Sequence, residues 1–206
     1  MAFKRGDHIC VVYSTVRELA DTVGGFLAEG LAKRERCWYV ASGAEDRAVR
    51  RALRNASVDV ESQTARGALR LISSNDAYLV HGQFDPEATI RVFNDAIEES
   101  LSAGFSGFRA AAEMSWALEP NGGVDRLITY EALLRTLFAN CQVIGLCLYH
   151  REHMPLAVLN GALCTHPMVG GDGKYGPNPF YDDGTRALTN VDDATVRHKL
   201  RQLARD

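Results

Sequence analysis

The chain has 206 residues, of which 46% are hydrophobic and 24% charged, and its formal net charge is −3. A chain of this length buries roughly 70% of its unfolded surface, and its charge balance argues against a surface that binds nucleic acid through phosphates. No apolar run reaches the roughly 20 residues that span a bilayer, and the N-terminal sequence lacks the apolar core of a signal peptide. We therefore expect a cytoplasmic protein with neither a nucleic-acid nor a membrane partner.

The chain opens with the pattern of a β-α-β unit. Residues 8–13 and 36–41 are typical of buried strands, and the helix between them, over about residues 15–33, begins with a capping box formed by Thr15 and Glu18. In nucleotide-binding versions of this unit the first turn carries glycines and a lysine that hold phosphates. Here the turn is Tyr13-Ser14-Thr15. This indicates a binding or sensing role without NTP hydrolysis, and we expect that the protein is not an enzyme.

Strands and helices alternate through most of the remaining chain. The pattern predicts strands near residues 69–73, 107–112 and 141–149, and helices that begin near residues 42, 86 and 124. Strands separated by helices of this length pair in parallel through right-handed crossovers. The expected fold is therefore α/β, a three-layer sandwich with a mostly parallel sheet of at least five strands.

The last part of the chain departs from this alternation. Residues 168–183 are rich in glycine and proline and indicate an irregular extension, either a lid or a hairpin. Residues 191–206 predict a short charged helix with a narrow apolar stripe of Val196, Leu200 and Leu203. The stripe either pairs with a second copy or a signalling partner, or packs back on its own domain. We accordingly divide the chain into a sensory domain, 1–183, and a linker with a C-terminal helix, 184–206.

Side chains at the carboxyl ends of the strands are the candidate ligand-binding residues, because ligands of such folds collect there. They are Tyr13, Ser42, Arg109, Glu113, Trp116, Tyr149 and His150. An aromatic wall with one carboxylate suits a small, weakly polar ligand. Glu113 either reaches solvent, pairs with a cation such as Arg109, or lies in a pocket with a raised pKa. Capping of the next turn through Ser115 is the alternative for Glu113, and ordinary packing is the alternative for Trp116.

Histidines and cysteines leave a metal or haem site open as a second hypothesis. His8 and Cys10 lie on one face of the first strand, and His with Cys is a common ligand pair for zinc or iron. Further ligands would come from His150, His153, Cys164 and His166. No spacing matches a known metal motif, so we assign no metal ligand and leave the cofactor unknown. His8 begins its strand, where we expect a bond to a neighbouring loop, and His166 is expected in a turn, bonded to the backbone.

Cysteine usage bears on the redox state of the chain. Cys10, Cys37 and Cys147 lie inside apolar, strand-like runs, and the total of five cysteines is odd. This pattern predicts reduced, buried thiols.

Short segments spread over about residues 7–182 resemble one known family. They are residues 7–10 (DHIC), 26–31 (FLAEGL), 35–40 (ERCWYV), 108–116 (FRAAAEMSW), 130–131 (YE), 146–149 (LCLY), 165–167 (THP) and 178–181 (NPFY). They resemble the MEDS domain, the sensory domain of methanogens and methylotrophs named partly for the dichloromethane regulator DcmR. Ala112 departs from this pattern, which has glycine before the glutamate.

The resemblance implies a fold and a function. It implies a fold similar to KaiC and RecA-like ATPases with an eroded phosphate loop, and a role in signal transduction or transcription regulation through sensing of a small hydrocarbon derivative. We therefore expect a sensory domain that binds a small, weakly polar molecule and signals to a protein partner or a second copy. A metal or haem sensor is one alternative. A small-molecule enzyme in which Glu113 performs acid-base chemistry is the other.

Overall fold

A seven-stranded sheet forms the centre of the molecule, with the strand order β3-β2-β4-β5-β1-β6-β7. The structure is a computed structural model that describes residues 3–79, 82–171, 173–182 and 192–203. In this part of the chain, β7 pairs antiparallel with β6 and every other neighbouring pair of strands is parallel. The expected α/β architecture is confirmed, and the sheet is wider by two strands than the minimum of five.

The strands and helices alternate along the chain as the sequence pattern predicts. The strands are β1 (His8–Tyr13), β2 (Arg36–Ala41), β3 (Leu69–Ser73), β4 (Phe108–Glu113), β5 (Val143–His150), β6 (Met168–Gly171) and β7 (Lys174–Pro177). The helices are α1 (Val16–Ala32), α2 (Asp46–Asn55), α3 (Val60–Ala65), α4 (Ser74–Tyr78), α5 (Pro86–Ser102), α6 (Val124–Asn140), α7 (Leu156–Thr165) and α8 (Asp193–Leu203), with a 3-10 turn at Ser115–Leu118.

Two separate cores cover the two faces of the sheet. Alternation along β1 sends Ile9, Val11 and Tyr13 to the face covered by α1, α2 and α3, which we call the α1 face. Cys10 and Val12 point to the opposite face, covered by α4 to α8, which we call the α6 face. β1, β2 and β4 are buried along their whole length, as expected for parallel strands covered on both sides.

Three helices were not predicted. α3 and α4 have six and five residues, too few for a periodic pattern to emerge. α7 is buried from Val158 to Thr165, so it is apolar around its circumference and lacks the polar face that marks an amphipathic helix.

The irregular segment after α7 extends the sheet. β6 adds to the edge of the sheet beside β1, with Cys10 opposite Val169, and β7 pairs back on β6. The hairpin interpretation of this segment is therefore confirmed for β6 and β7.

The C-terminal helix packs on its own domain. Val196 and Leu200 are 1% and 4% exposed, and Lys199 Nζ donates to Asn160 Oδ1 of α7 at 2.8 Å. Of the two interpretations of its apolar stripe, packing within the chain is the one observed. The predicted helix limits, 191 and 206, and the domain boundary at 183–184 lie outside the described residues.

The helices and the cysteines can be compared with what the composition led us to expect. None of the helices in the described ranges has both the length and the apolar character that crossing a bilayer requires. Cys10, Cys37 and Cys147 are buried, free thiols.

Candidate functional site

Glu113 ends β4 on the α1 face and is held by three donors, an arrangement we call the Glu113 site. Its Oε1 accepts from Tyr13 Oη at 2.9 Å and from Ser115 Oγ at 2.7 Å, and its Oε2 accepts from the Ser115 backbone N–H at 3.0 Å. Burial raises the pKa of Glu113, and the bonds from Ser115 and Tyr13 oppose that rise. The capping interpretation is confirmed, because Ser115 supplies two of the three bonds.

Arg109 does not take part in the Glu113 site. Its guanidinium is fully buried on the same strand, where Nε donates to Glu35 Oε2 at 2.6 Å and Nη1 donates to the Phe26 carbonyl at 2.8 Å. Four residues along a strand span about 13 Å, so Arg109 and Glu113 lie at opposite ends of β4. The expectation that Arg109 pairs with Glu113 or joins a site at the carboxyl end is wrong.

The other predicted ligand-binding residues are divided between the two faces of the sheet. Trp116 is 1% exposed and stacks on Tyr78 with ring centroids 4.1 Å apart, inside the core of the α6 face. Tyr149 lies on that face as well, whereas Ser42 is exposed on the loop after β2. His150 is half-buried and stacks on His153. Strand alternation therefore divides the predicted aromatic wall. Tyr13 meets both Glu113, through a hydrogen bond, and His150, whose ring packs edge-to-face against it with centroids 5.0 Å apart.

A second buried carboxylate, Glu131 of α6, lies on the α6 face among three metal-ligating side chains. We call His8, Glu131, Cys147 and His166 the Glu131 cluster. Glu131 Oε2 is 3.3 Å from His8 Nε2 and 3.4 Å from His166 Nε2, and 3.9 Å from Cys147 Sγ. Cys147 Sγ is 3.5 Å from His8 Nε2. The cluster joins β1, β5, α6 and the residue that follows α7, and all four side chains are buried.

Burial dominates the electrostatics of the Glu131 cluster. Desolvation lowers the pKa of both His8 and His166 to about 3, and it raises the pKa of Glu131 and of the Cys147 thiol. Both imidazoles are therefore neutral near pH 7, and each offers a lone pair from one ring nitrogen. Neutral imidazole is the form that binds a metal ion.

Neighbouring groups orient three members of the cluster. His166 Nδ1 lies 2.7 Å from the Ala162 carbonyl oxygen, a contact that requires the proton on Nδ1 and leaves a lone pair on Nε2. Tyr149 Oη donates to Glu131 Oε1 at 2.5 Å. His8 stacks on the Phe138 ring, with centroids 4.4 Å apart. The expected bond from His8 to a loop is therefore wrong, while the expected backbone bond of His166 is confirmed.

The sequence contains a signal for this cluster, although the spacing of its members along the chain matches no known metal motif. Glu131, Cys147 and His166 lie inside segments that resemble the MEDS domain, and Glu131 interrupts the apolar face of α6 between Leu127 and Leu134. A charged residue on a buried helix face requires a partner. Of the other candidate metal ligands, Cys10 lies opposite Cys147 in the β1–β5 pair, whereas His150, His153 and Cys164 lie outside the cluster.

A cavity of about 970 Å³ opens at the carboxyl end of β1, and we call it the β1 groove. Its apolar lining includes Cys10, Val12 and Val169, and its polar lining includes Ser14, Thr15 and Arg151. Charged residues of α1 and β7 and Leu203 of α8 also line it. Arg151 Nε lies 3.3 Å from Ser14 Oγ. The groove lies where an α/β fold binds ligands, although most of its lining residues were not predicted.

At the start of α1, beside the groove, two backbone N–H groups are hydrogen-bonded by side chains of Thr15 and Glu18. The Ser14 backbone N–H donates to a carboxylate oxygen of Glu18 at 2.8 Å, and the Glu18 N–H donates to Thr15 Oγ1 at 3.1 Å. This is the predicted capping box. The Glu18 carboxylate therefore accepts the hydrogen bond of a backbone N–H that would face a phosphate in a nucleotide-binding relative.

The fold resembles that of KaiC-like, RecA-type α/β domains. One similar solved structure is a KaiC-like protein from the hyperthermophilic archaeon Pyrococcus horikoshii OT3, with a TM-score of 0.55 and 13% sequence identity over 81% of this chain and 71% of that chain. The family model of MEDS, described as the methanogen/methylotroph, DcmR sensory domain, matches residues 7–167. The chain belongs to the MEDS family, and its role is sensory or regulatory. No curated protein matches it.

Proposed function

We propose that this MEDS domain senses a small, weakly polar molecule, such as a hydrocarbon derivative, in the β1 groove. The observation that carries the proposal is a cavity of about 970 Å³ at the carboxyl end of β1, within the size range of small-molecule sites. Cys10, Val12 and Val169 supply apolar contact, which favours binding of a compound with little polar surface. Ser14 and Arg151 are among the polar groups of the lining, and they would orient such a compound.

The terminal helix connects the groove to an output. Leu203 of α8 lines the β1 groove, and Arg151 borders a neighbouring depression together with Arg197 and Leu200 of α8. A ligand that contacts Leu203 changes the packing of α8 on α7. The signal then passes to a protein partner or a second copy of the chain at the exposed side of α8, since Val196 and Leu200 are already used inside the domain.

The first experiment uses 1-anilinonaphthalene-8-sulfonate, an apolar dye with one anionic group, as the probe. The wild-type protein should enhance its fluorescence, and dichloromethane should displace it. Val169→Trp, which fills the groove, should reduce dye affinity at least about tenfold because the apolar lining is no longer accessible. Leu118→Trp is the matched control, since Leu118 is exposed outside the groove lining.

The dye experiment is decisive only for folded proteins. Both variants must therefore show the circular dichroism spectrum of the wild type. Equal dye affinity for all three proteins would refute the groove as the ligand site. Hydrogen exchange tests the output step, because amides of residues 193–203 should change their protection when the probe is bound. Unchanged protection there would refute the role of α8.

We propose further that the domain does not hydrolyse NTP. The argument rests on the Ser14 N–H, which is bonded to the Glu18 carboxylate, because a negative group at this position repels phosphate. Glu113 is 2% exposed and bonded to Tyr13 and Ser115, which argues against the alternative of an enzyme that uses it as an acid or base. A magnesium-dependent ATPase assay should give background rates. Turnover that disappears on substitution of Ser14 or Thr15 would overturn this proposal.

A further inference from the structure

We propose that the Glu131 cluster is a tetrahedral binding site for a divalent first-row transition metal, with zinc as the ion that it fits best. The four ligands are His8 Nε2, Glu131 Oε2, Cys147 Sγ and His166 Nε2. This goes beyond the proposed ligand site in the β1 groove and does not depend on it. Two imidazoles, one thiolate and one carboxylate are a donor set that zinc accepts.

Three distances within the cluster match the edges of a coordination tetrahedron. An ion bound about 2.05 Å from nitrogen or oxygen and about 2.3 Å from sulfur sets nitrogen–oxygen edges of about 3.4 Å and nitrogen–sulfur edges of about 3.6 Å. The two nitrogen–oxygen distances are 3.3 and 3.4 Å, and the nitrogen–sulfur distance from His8 to Cys147 is 3.5 Å. The oxygen–sulfur distance is longer, at 3.9 Å. All four ligand atoms lie within 4.8 Å of one another.

The orientation of His166 is the second observation that points to a cation. Its Nε2 is buried and has no hydrogen-bond partner among the described residues, although it lies 3.4 Å from Glu131 Oε2. Because Nδ1 bonds to the Ala162 carbonyl, Nε2 carries a lone pair and faces an oxygen that also carries lone pairs. The Cys147 thiol donates to that oxygen over a long 3.9 Å, but among the described residues no hydrogen-bond donor reaches the lone pair of His166 Nε2. A cation between them satisfies both.

Two of the four ligands, His166 and Glu131, have the supporting bonds that are common in metal sites, whereas His8 Nδ1 has no partner among the described residues. A ligating histidine commonly donates its other N–H to a backbone carbonyl, as His166 does to Ala162. Tyr149 holds the non-ligating oxygen of Glu131. On binding, the Cys147 thiol releases its proton to solvent and becomes a thiolate. Thiolate and carboxylate then carry two negative charges, which neutralise a divalent ion in a buried site.

The ligand count indicates what the ion does. Four protein ligands leave no open position, which is the mark of a structural site and not of a catalytic one. The ion ties β1 and β5 to α6 and to the residue after α7. Cys147 lies opposite Cys10 in the sheet, and Cys10 lines the β1 groove. The metal therefore anchors the strands from which the groove is built.

The test starts from chelator-treated wild-type protein, reconstituted separately with Zn²⁺ and Co²⁺. Elemental analysis should give one ion per chain, and Co²⁺ should produce a near-ultraviolet thiolate charge-transfer band. Cys147→Ser should abolish that band, and His166→Gln should weaken Co²⁺ binding at least about 100-fold. Zinc removal should lower the midpoint of thermal unfolding by several degrees.

Two control variants separate this cluster from the other histidines and cysteines. Cys164→Ala removes a thiol outside the cluster, and the double variant His150→Ala/His153→Ala removes the stacked pair outside it. Both should retain one ion and the charge-transfer band. Val169→Trp should also retain the ion, so failure of the groove proposal and failure of this one are distinguishable.

Three results would overturn the metal site. The first is folded wild-type protein that binds less than about 0.1 ion per chain under reconstitution with excess metal. The second is a charge-transfer band that survives in Cys147→Ser. The third is loss of binding in the His150/His153 double variant alone, which would place an adventitious ion on the surface. If Cys147→Ser and His166→Gln do not fold, the stoichiometry and spectrum of the wild-type protein decide the question.

Discussion

The buried carboxylates of Glu113 and Glu131 lie on opposite faces of the sheet, and they differ in what surrounds them. Glu113 is met by three donors, one from Tyr13 and two from Ser115. Glu131 is bonded to Tyr149 through one oxygen, while its other oxygen lies near two neutral imidazoles and a thiol. Glu113 and Glu131 are therefore similarly buried, but they differ in their hydrogen bonds. A buried carboxylate with enough donors is a structural element, whereas one that faces lone pairs indicates a cation site.

The sequence separation between each carboxylate and its partners explains part of the difference in hydrogen bonding. Ser115 lies two residues after Glu113, so the turn that follows β4 satisfies that carboxylate locally. The partners of Glu131 come from β1, β5 and the end of α7, and each is positioned by packing of the α6 face. Changes at the two sites should therefore differ in size and in their dependence on metal.

The largest expected effect is that of Glu131→Gln. Removing the charged partner of a buried cluster costs about 3–5 kcal/mol, because the ion loses a ligand and its charge is no longer balanced. Urea unfolding in the presence of zinc measures this cost. With a chelator present, wild type and variant should become closer in stability. An equal difference with and without chelator would show that Glu131 stabilises the protein without a bound metal ion.

A matched pair of tyrosine variants sharpens the comparison. Tyr149→Phe removes the bond to Glu131 Oε1 and should cost about 1.5–3 kcal/mol, with zinc affinity falling about 10- to 100-fold. Tyr13→Phe removes the bond to Glu113 Oε1 and should cost about 1–2 kcal/mol, since Ser115 still donates twice. Competition with a zinc-sensitive dye measures the affinities. An unchanged zinc affinity in Tyr149→Phe would contradict the role of Tyr149.

Glu113→Gln should cost about 1–2 kcal/mol at acidic pH, and this cost should fall as the pH rises. Burial raises the pKa of Glu113 above its unfolded value, so its stabilising contribution is complete below the unfolded pKa and declines as the pH rises through the folded one. The groups that influence Glu113 are Tyr13, Ser115 and Glu45. Urea unfolding of wild type and variant from about pH 5 to about pH 8 tests this. A cost that grows with pH would contradict the sign.

Ser115→Ala should have the smallest effect, about 0.5–1.5 kcal/mol. It removes the bond from Ser115 Oγ to Glu113 but keeps the backbone N–H that donates to Oε2. Ser42→Ala is the control at an exposed serine and should be close to neutral. Thermal unfolding is sensitive enough to separate the two. A loss in Ser115→Ala as large as that in Glu131→Gln would remove the distinction between the two carboxylates.

Parts of the candidate sites were predictable where the signal is local. The Thr15/Glu18 capping box and the bond between Ser115 and Glu113 connect residues two to three positions apart. The pairing of Arg109 was not predictable, because its partner Glu35 lies in the loop before β2. His8 was misplaced for a similar reason. Its place on a strand was predicted correctly, but nothing in the neighbouring sequence indicates which helix covers it.

The sequence by itself determined the α/β architecture, the missing phosphate loop and the likeness to the MEDS family. Each of these rests on residues that are close in the sequence, through the alternation of strands and helices, the helical period and short motifs. Only the tertiary structure decided which polar residues meet. Strand alternation placed Tyr13 and Tyr149 on opposite faces of the sheet, and helix packing brought Glu131 to His8, Cys147 and His166. These contacts depend on how the helices of the α6 face pack on the sheet. The spacing of the residues along the chain does not predict that packing.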